Sequence, residues 1–311
     1  MKINPIEQEN LYGYSDFFKY IKLLFDIDKL PNKIIFSGKK GIGKSTFTYH
    51  LTNYIFSIDE DQTYDFKNNK INNLNKSFKL LNNNTHPNFF LISLNKDKKS
   101  IEIAQIREMI SFCNKSSFDN KNKIILIDNV EYLNQSSVNA LLKIIEEPNE
   151  KIYFFLIYDS SKRITATLNS RCIKFNLHIN NSKREKILNN LIKSNFYENL
   201  NSDLKNYYFS HGDYINLYNY ISEKSLDENI SIENLLTFII DEKEYKNNIY
   251  IKENFSLFIE LYYKKKFLNI DSNIKYYNQF KYYIKKNYSV NKFNLDLETL
   301  IIEFKAQLNN G

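Results

Sequence analysis

The chain has 311 residues, 42% hydrophobic and 25% charged, which fits a globular protein of two or three domains, each able to bury a core. Cys113 and Cys172 stand far apart, and His50, His86, His178 and His211 are scattered, so neither a disulfide framework nor a zinc site is expected. The net charge of +7 suits a nucleic-acid partner, but in a chain saturated with Asn, Lys, Ile and Tyr mostly solvated lysines are the stronger reading, and with no membrane-length apolar run and a polar start from Met1 to Asn10, a cytoplasmic protein with no membrane partner is expected.

The first half alternates short β-rich runs with helical spacing. Lys33 to Ser37 reads as a buried strand, and the glycine-rich stretch behind it opens a helix marked by Phe47, Leu51, Tyr54 and Ile55. Lys67 to Asn84, rich in Asn and Lys, reads as an exposed, partly disordered insertion. Asn88 to Leu94 is the second strand, Gln105-Ile106-Arg107 begins a helix, and Lys123 to Asp128 is the third strand. Val138, Leu141, Leu142 and Ile145 then recur at helical spacing, with Ser136 as the N-cap and Pro148 as the stop after Glu147. Lys151 to Tyr158 and Cys172 to Leu177 complete the strands. This rhythm predicts an α/β fold with a parallel sheet and helices on both faces. From about Asn180 the alternation disappears, and Ile187, Leu188, Leu191 and Ile192, then Leu235 to Ile240, Phe255 to Tyr263 and Leu295 to Phe304, predict an all-α region. Gly212 and the stretch Ser225 to Asn229 suggest a break between a small helical domain and a C-terminal helical domain.

Gly38-Lys39-Lys40-Gly41-Ile42-Gly43-Lys44-Ser45 fits the phosphate-binding loop G-x-x-x-x-G-K-S in the strand-to-helix context that motif requires. Gly38, Gly41 and Gly43, three of six glycines in the chain, let the backbone wrap a phosphate with its N–H groups, and the helix N-terminus adds a favourable dipole. Lys44 reaches the β/γ-phosphates, Ser45 ligates magnesium, and Ile42 and Thr46 complete the nucleotide-binding set. Asp128, at the end of a buried strand, is the second magnesium candidate, so ATP or ADP with magnesium is the expected cofactor. The next residue is Asn129, whose amide does not accept a proton from water as a carboxylate does.

Several segments resemble bacterial clamp-loader subunits of the AAA+ class, most of all the delta-prime type: Leu11-Tyr12-Gly13, the loop from Gly38 to Ser45, His86-Pro87-Asn88-Phe89, Ile103 to Glu108, Asn139-Ala140-Leu141-Leu142-Lys143 running on to Glu146-Glu147-Pro148, and Ser170-Arg171-Cys172. The resemblance covers roughly residues 5 to 220 well. It implies an AAA+ nucleotide-binding domain over 1–178, a small helical lid over 179–225 and a helical collar over 226–311, assembled with gamma/tau-type and delta-type subunits into a five-subunit ring that loads a sliding clamp onto primed DNA. It also implies that Arg171 is an arginine finger acting in trans on a neighbour's γ-phosphate. Of 43 basic residues only Arg107, Arg163, Arg171 and Arg184 are arginines, and where lysine is the default cation an arginine marks a need for a planar fork of donors. Arg107 is a candidate DNA-phosphate contact, with an ion pair to Glu102 or Glu108 as the alternative. The adenine is expected near Tyr12 and Gly13.

The family pattern is broken in places. No four-cysteine zinc module follows the phosphate-loop helix, Asn129 replaces a glutamate, Asp159 falls on the sensor-1 position, and Gly212-Asp213-Tyr214-Ile215 puts Ile215 where the sensor-2 arginine stands. Intact phosphate loop and finger, with hydrolysis and sensing residues lost, favour a stator with weak or absent ATPase. The alternatives are a gamma/tau-like motor of the same complex or an unrelated P-loop nucleotide kinase.

Overall fold

The computed structural model describes residues 3–95, 98–146, 151–205, 209–269, 273–293 and 297–309. They fall into two compact units, Met1–Ile187 with Ser210–Gly212, and Leu188–Phe209 with Asp213–Gly311. The first unit runs α1 (Ser15–Asp26), β1 (Lys33–Gly38), α2 (Lys44–Ser57), α3 (Lys76–Asn82), β2 (Phe89–Ile92), α4 (Ile103–Asn114), β3 (Lys123–Ile127), α5 (Gln135–Glu146), β4 (Ile152–Asp159), α6 (Ala166–Arg171) and β5 (Ile173–Asn176). The strands form one parallel sheet in the order β2-β3-β4-β1-β5.

Period-two alternation decides how the sheet is covered. Ile34, Phe36, Ile124, Leu126 and Phe155 face the layer that holds Phe18, Phe47, Leu51 and Phe78, whereas Ile35, Ile125, Ile127, Phe154 and Leu156 face Ile106, Met109, Leu141, Ile145 and Leu168. Because both faces are buried, the central strands read in sequence as unbroken apolar runs. The expected α/β architecture forms, and all five strands fall where the sequence put them.

Two local expectations are corrected. The stretch from Lys67 to Asn84 is folded: Lys70 pairs with Asp65, Ile71, Phe78 and Leu81 are buried, and α3 is capped by Asn75. The Asn75 side chain accepts the Phe78 N–H at 2.7 Å and the Asn53 Nδ2 hydrogen at 3.0 Å, and donates to the Gln62 carbonyl at 2.6 Å. Asparagine serves here as cap and turn residue, with Asn69 and Asn84 at positive φ, so its abundance marks turns rather than disorder. Helix α5 starts at Gln135, so Ser136 lies within it; Asn134 caps it by accepting the Ser137 N–H at 2.8 Å. Glu147 and Pro148, the expected stop, lie outside the described residues.

Helix α7 (Arg184–Ile192) carries the chain into the second unit, which continues with α8 (Phe196–Asn199), α9 (His211–Glu223), α10 (Ile232–Asp241), α11 (Glu244–Asn247), α12 (Ile249–Asn269), α13 (Asn273–Phe293) and α14 (Leu297–Asn309). One apolar core joins these helices, from Leu188 through Leu235, Phe255 and Phe258 to Phe304. The expected helical segments fall in α7, α10, α12 and α14, and Leu295 lies outside the described residues. Between α9 and α10 the chain leaves helical structure, with Ser225 at φ 52°, and Gly212 lies in the first turn of α9, where the first compact unit gives way to the second. No helix among the described residues is long and apolar enough to cross a membrane.

Candidate functional site

The parallel register brings the phosphate loop to the carboxyl edge of the sheet, where α/β folds bind ligands. Gly38 ends β1 opposite Asp159 of β4, and the Asp128 N–H closes β3 onto the Ile92 carbonyl of β2 at 2.8 Å. A Cβ on Gly38 would lie 2.6 Å from both the Leu177 carbonyl oxygen and Ile42 Cδ1, so only glycine fits. Gly41 and Gly43 adopt φ of 81° and 92°, conformations glycine enters without penalty.

Lys44 is 6% exposed, and its Nζ donates to the carbonyls of Gly38 at 2.7 Å and Lys39 at 2.8 Å. Burial pushes its pKa down, against the pull of Asp159, Glu131 and Asp128. Ser45 Oγ donates to Asp128 Oδ2 at 3.3 Å, the hydroxyl and carboxylate pairing that a magnesium ion on a phosphate loop takes up. Burial raises the Asp128 pKa, with Ser45 and Lys44 opposing. Ile42 and Thr46 are half-buried beside these residues, and the Ile42 carbonyl accepts a bond described below. The loop, the amine and the Ser45–Asp128 pair fit a magnesium nucleotide.

Asn129 has φ 61° and ψ 56°, the left-handed conformation, in which asparagine is tolerated and most L-residues are strained. Two residues on, Glu131 is half-buried, and its Oε2 accepts the Asp159 N–H at 3.2 Å. Burial raises its pKa. Asp159 is 7% exposed; burial works to raise its pKa, but the Ser161 N–H at 3.1 Å, the Ser161 hydroxyl at 2.8 Å and Lys44 prevail and hold it low.

Three contacts around the loop and the adjoining strand ends were not read from the sequence. The Tyr14 hydroxyl, on a 3% exposed ring packed edge-on to Phe47, donates to the Ile42 carbonyl at 2.9 Å. Gly212 donates its N–H to the Gly41 carbonyl at 2.8 Å. Glu131 is the third, and its place two residues after Asn129 was the signal that could have found it. Gly13, expected near the adenine, has φ 81° and lies against Ile179 and Ile187.

The remaining candidates stand elsewhere. Arg171 is the last residue of α6; its Nε donates to Glu146 Oε1 at 2.7 Å and its Nη1 to the Thr167 carbonyl at 3.1 Å. Arg107 is exposed on α4, whose N-terminus is closed by a capping box of Glu102 and Gln105, so the helix begins at Ile103 rather than Gln105. Glu102 pairs with Lys98 at 3.0 Å. Ile215 packs against the core of the second unit. No cluster of three or more metal-binding side chains occurs among the described residues, and Cys113 and Cys172 are both buried and free.

A family model described as "DNA polymerase III, delta subunit" matches residues 14–181, which take in the whole sheet, the phosphate loop, Asp128 and Arg171. The chain belongs to that family. Among delta subunit relatives, the DNA polymerase III subunit delta' of Buchnera aphidicola subsp. Schizaphis graminum is 29% identical over 73% of this chain and 66% of its own length. That of Buchnera aphidicola subsp. Baizongia pistaciae is 30% identical over 54% of this chain and 51% of its own length. The chain thus spans about half to two thirds of these relatives. A DNA polymerase III subunit gamma/tau from Mycoplasma genitalium is 28% identical over 56% of this chain and 28% of its own length.

Proposed function

We propose that this delta-family chain is a stator of a bacterial clamp loader, one that binds ATP or ADP with magnesium and supplies Arg171 as a finger to a neighbouring subunit's nucleotide. The observation that carries the reading is a division within one unit: the phosphate loop and the Ser45–Asp128 pair are complete, while Asn129, with no carboxylate, stands beside Asp128 in a left-handed conformation. Gly41, Gly43 and the first N–H groups of α2 would hold the phosphates, and Lys44, now on the Gly38 and Lys39 carbonyls, would supply its positive charge to them. Magnesium held by Ser45 and Asp128 would screen the phosphate charge against Asp128 and Asp159. Under this reading the partners are gamma/tau-type and delta-type subunits in a five-subunit ring, and through it the sliding clamp and primed DNA, in the cytoplasm. The division of the second half into a lid over 179–225 and a collar over 226–311 belongs to the same proposal.

A gamma/tau-like motor is favoured by one observation, the half-buried Glu131 near Lys44. Its bond to the Asp159 N–H gives it a structural task instead. The test compares Lys44→Ala and Arg171→Ala in otherwise intact loaders, with DNA-stimulated ATP hydrolysis and clamp loading as readouts. Arg171→Ala is expected to do the greater damage; a trans finger contributes roughly a thousandfold at its own site, diluted where other sites keep theirs. Greater damage from Lys44→Ala makes the chain a motor.

A further inference from the structure

Arg171 is exposed, yet its side chain is tied at two points. One tie runs along its own helix, from Nη1 to the Thr167 carbonyl at 3.1 Å, and the other crosses to the last residue of α5, from Nε to Glu146 Oε1 at 2.7 Å. The two side chains are 38% and 48% exposed, so the pair contributes little to folding. The two helices do not need it to stay together: Leu141 and Ile145 of α5 share a buried core with Leu168 of α6. What the pair does fix is direction. An arginine carries five N–H donors, and among the described residues these bonds engage one on Nε and one on Nη1. The Nη2 hydrogens and the second Nη1 hydrogen are engaged by neither of these bonds.

We propose that Glu146 is a positioning residue for Arg171, ordering the guanidinium before a neighbouring subunit's phosphate reaches it. The inference rests on the finger reading above and goes beyond it by naming the group that aims the finger. A long, flexible side chain loses rotamer freedom when it docks, and ordering it beforehand removes part of that loss. The carboxylate also draws on the same positive charge that the phosphate needs. At a surface site this attraction is screened by water and salt, so orientation outweighs it and removing Glu146 lowers turnover.

The test uses the assembled loader with Glu146→Ala, Glu146→Gln, Arg171→Ala and the double variant Glu146→Ala/Arg171→Ala, each checked for assembly. Glu146→Ala is expected to lower the turnover number by about fivefold, the upper range for an exposed pair, with KM for ATP unchanged. Glu146→Gln, which keeps an acceptor for Nε, recovers part of the loss. The double variant turns over no more slowly than Arg171→Ala alone, because the carboxylate acts only through the arginine. Wild-type or faster turnover with Glu146→Ala, or a double variant whose loss is the product of the single losses, overturns the positioning role and leaves the finger standing. An Arg171→Ala loader with wild-type turnover overturns both.

Discussion

Replacing Gly212 by alanine tests whether the first turn of α9 holds the phosphate loop. The position is helical and does not have a left-handed φ, so on propensity alone alanine gains about 0.5–1 kcal/mol over glycine. Space argues the other way. A Cβ at 212 would lie 2.8 Å from Gly41 Cα and 3.2 Å from the Gly41 carbonyl oxygen, backbone atoms rather than the yielding end of a side chain. Overpacking of this kind costs about 1–3 kcal/mol, and the Gly212 N–H bond to the Gly41 carbonyl, 2.8 Å long, must lengthen as the two backbones part. The net expectation is a loss of about 1–2 kcal/mol, falling on the loop that would hold the phosphates. Isothermal titration with ADP and magnesium, beside a thermal melt, reads both effects: affinity about tenfold weaker and a lower melting temperature. Wild-type affinity with an unchanged or raised melting temperature would show that the loop does not depend on this contact.

Tyr14→Phe removes the hydroxyl bond to the Ile42 carbonyl and is expected to cost about 1 kcal/mol in a denaturant titration; no change in midpoint refutes its role as a support. Burial holds His50 neutral with its pKa lowered to about 3. The unfolded chain takes up that proton below pH of about 6.5 while the folded chain does not, so stability is full above this pH and falls as pH drops toward 3, by about 1.4 kcal/mol per unit. His86 and His211, each lowered to about 4, act in the same sense, whereas the raised Asp128 and Glu131 oppose it over the carboxylate range; urea midpoints that stay level from pH 7 to pH 5 contradict the sum. Arg107→Ala is expected to reduce the salt dependence of DNA binding by the assembled loader by about one counterion, and an unchanged slope removes Arg107 from the DNA contacts. Glu131→Gln is expected to leave loader turnover within about twofold, since its work is to hold a backbone N–H; a loss of a hundredfold or more would assign it proton transfer.

The sheet was legible because burial on both faces makes strands read as apolar runs, and the phosphate loop because its glycines and Lys44 form a spaced motif tied to that sheet. Polar residues were less legible, since asparagine serves as cap, turn former and surface residue alike. Asn75 and Asn134 are caps, and nothing local separates them from the asparagines around them. Contacts distant in sequence were not legible at all. Gly212 meets Gly41, Tyr14 meets Ile42, and Glu146 meets Arg171, and each partner is chosen by how helices pack on the sheet rather than by spacing.

The same geometry explains why the residues that depart from the family pattern hang together. A side chain that polarises water must have an acceptor to spare and must project toward the phosphate. Asn129 offers an amide from a left-handed backbone that a glutamate would strain by about 1–2 kcal/mol, so its identity is explained by conformation as well as by chemistry. The neighbouring carboxylates have tasks of their own: Asp128 accepts from Ser45, Asp159 from Ser161, and Glu131 from the Asp159 N–H. Asp159 is held ionised by the Ser161 donors and Lys44 against its burial, which suits a group that fixes a turn and not one that exchanges a proton at neutral pH. Ile215 packs against the core of the second unit, so under the proposed stator reading a glutamate placed at 129 alone would stand on a strained backbone with no arginine at 215 to accompany it. The loss of hydrolysis in this reading is therefore distributed across the edge of the sheet and a helix of the second unit, and no single reversal undoes it.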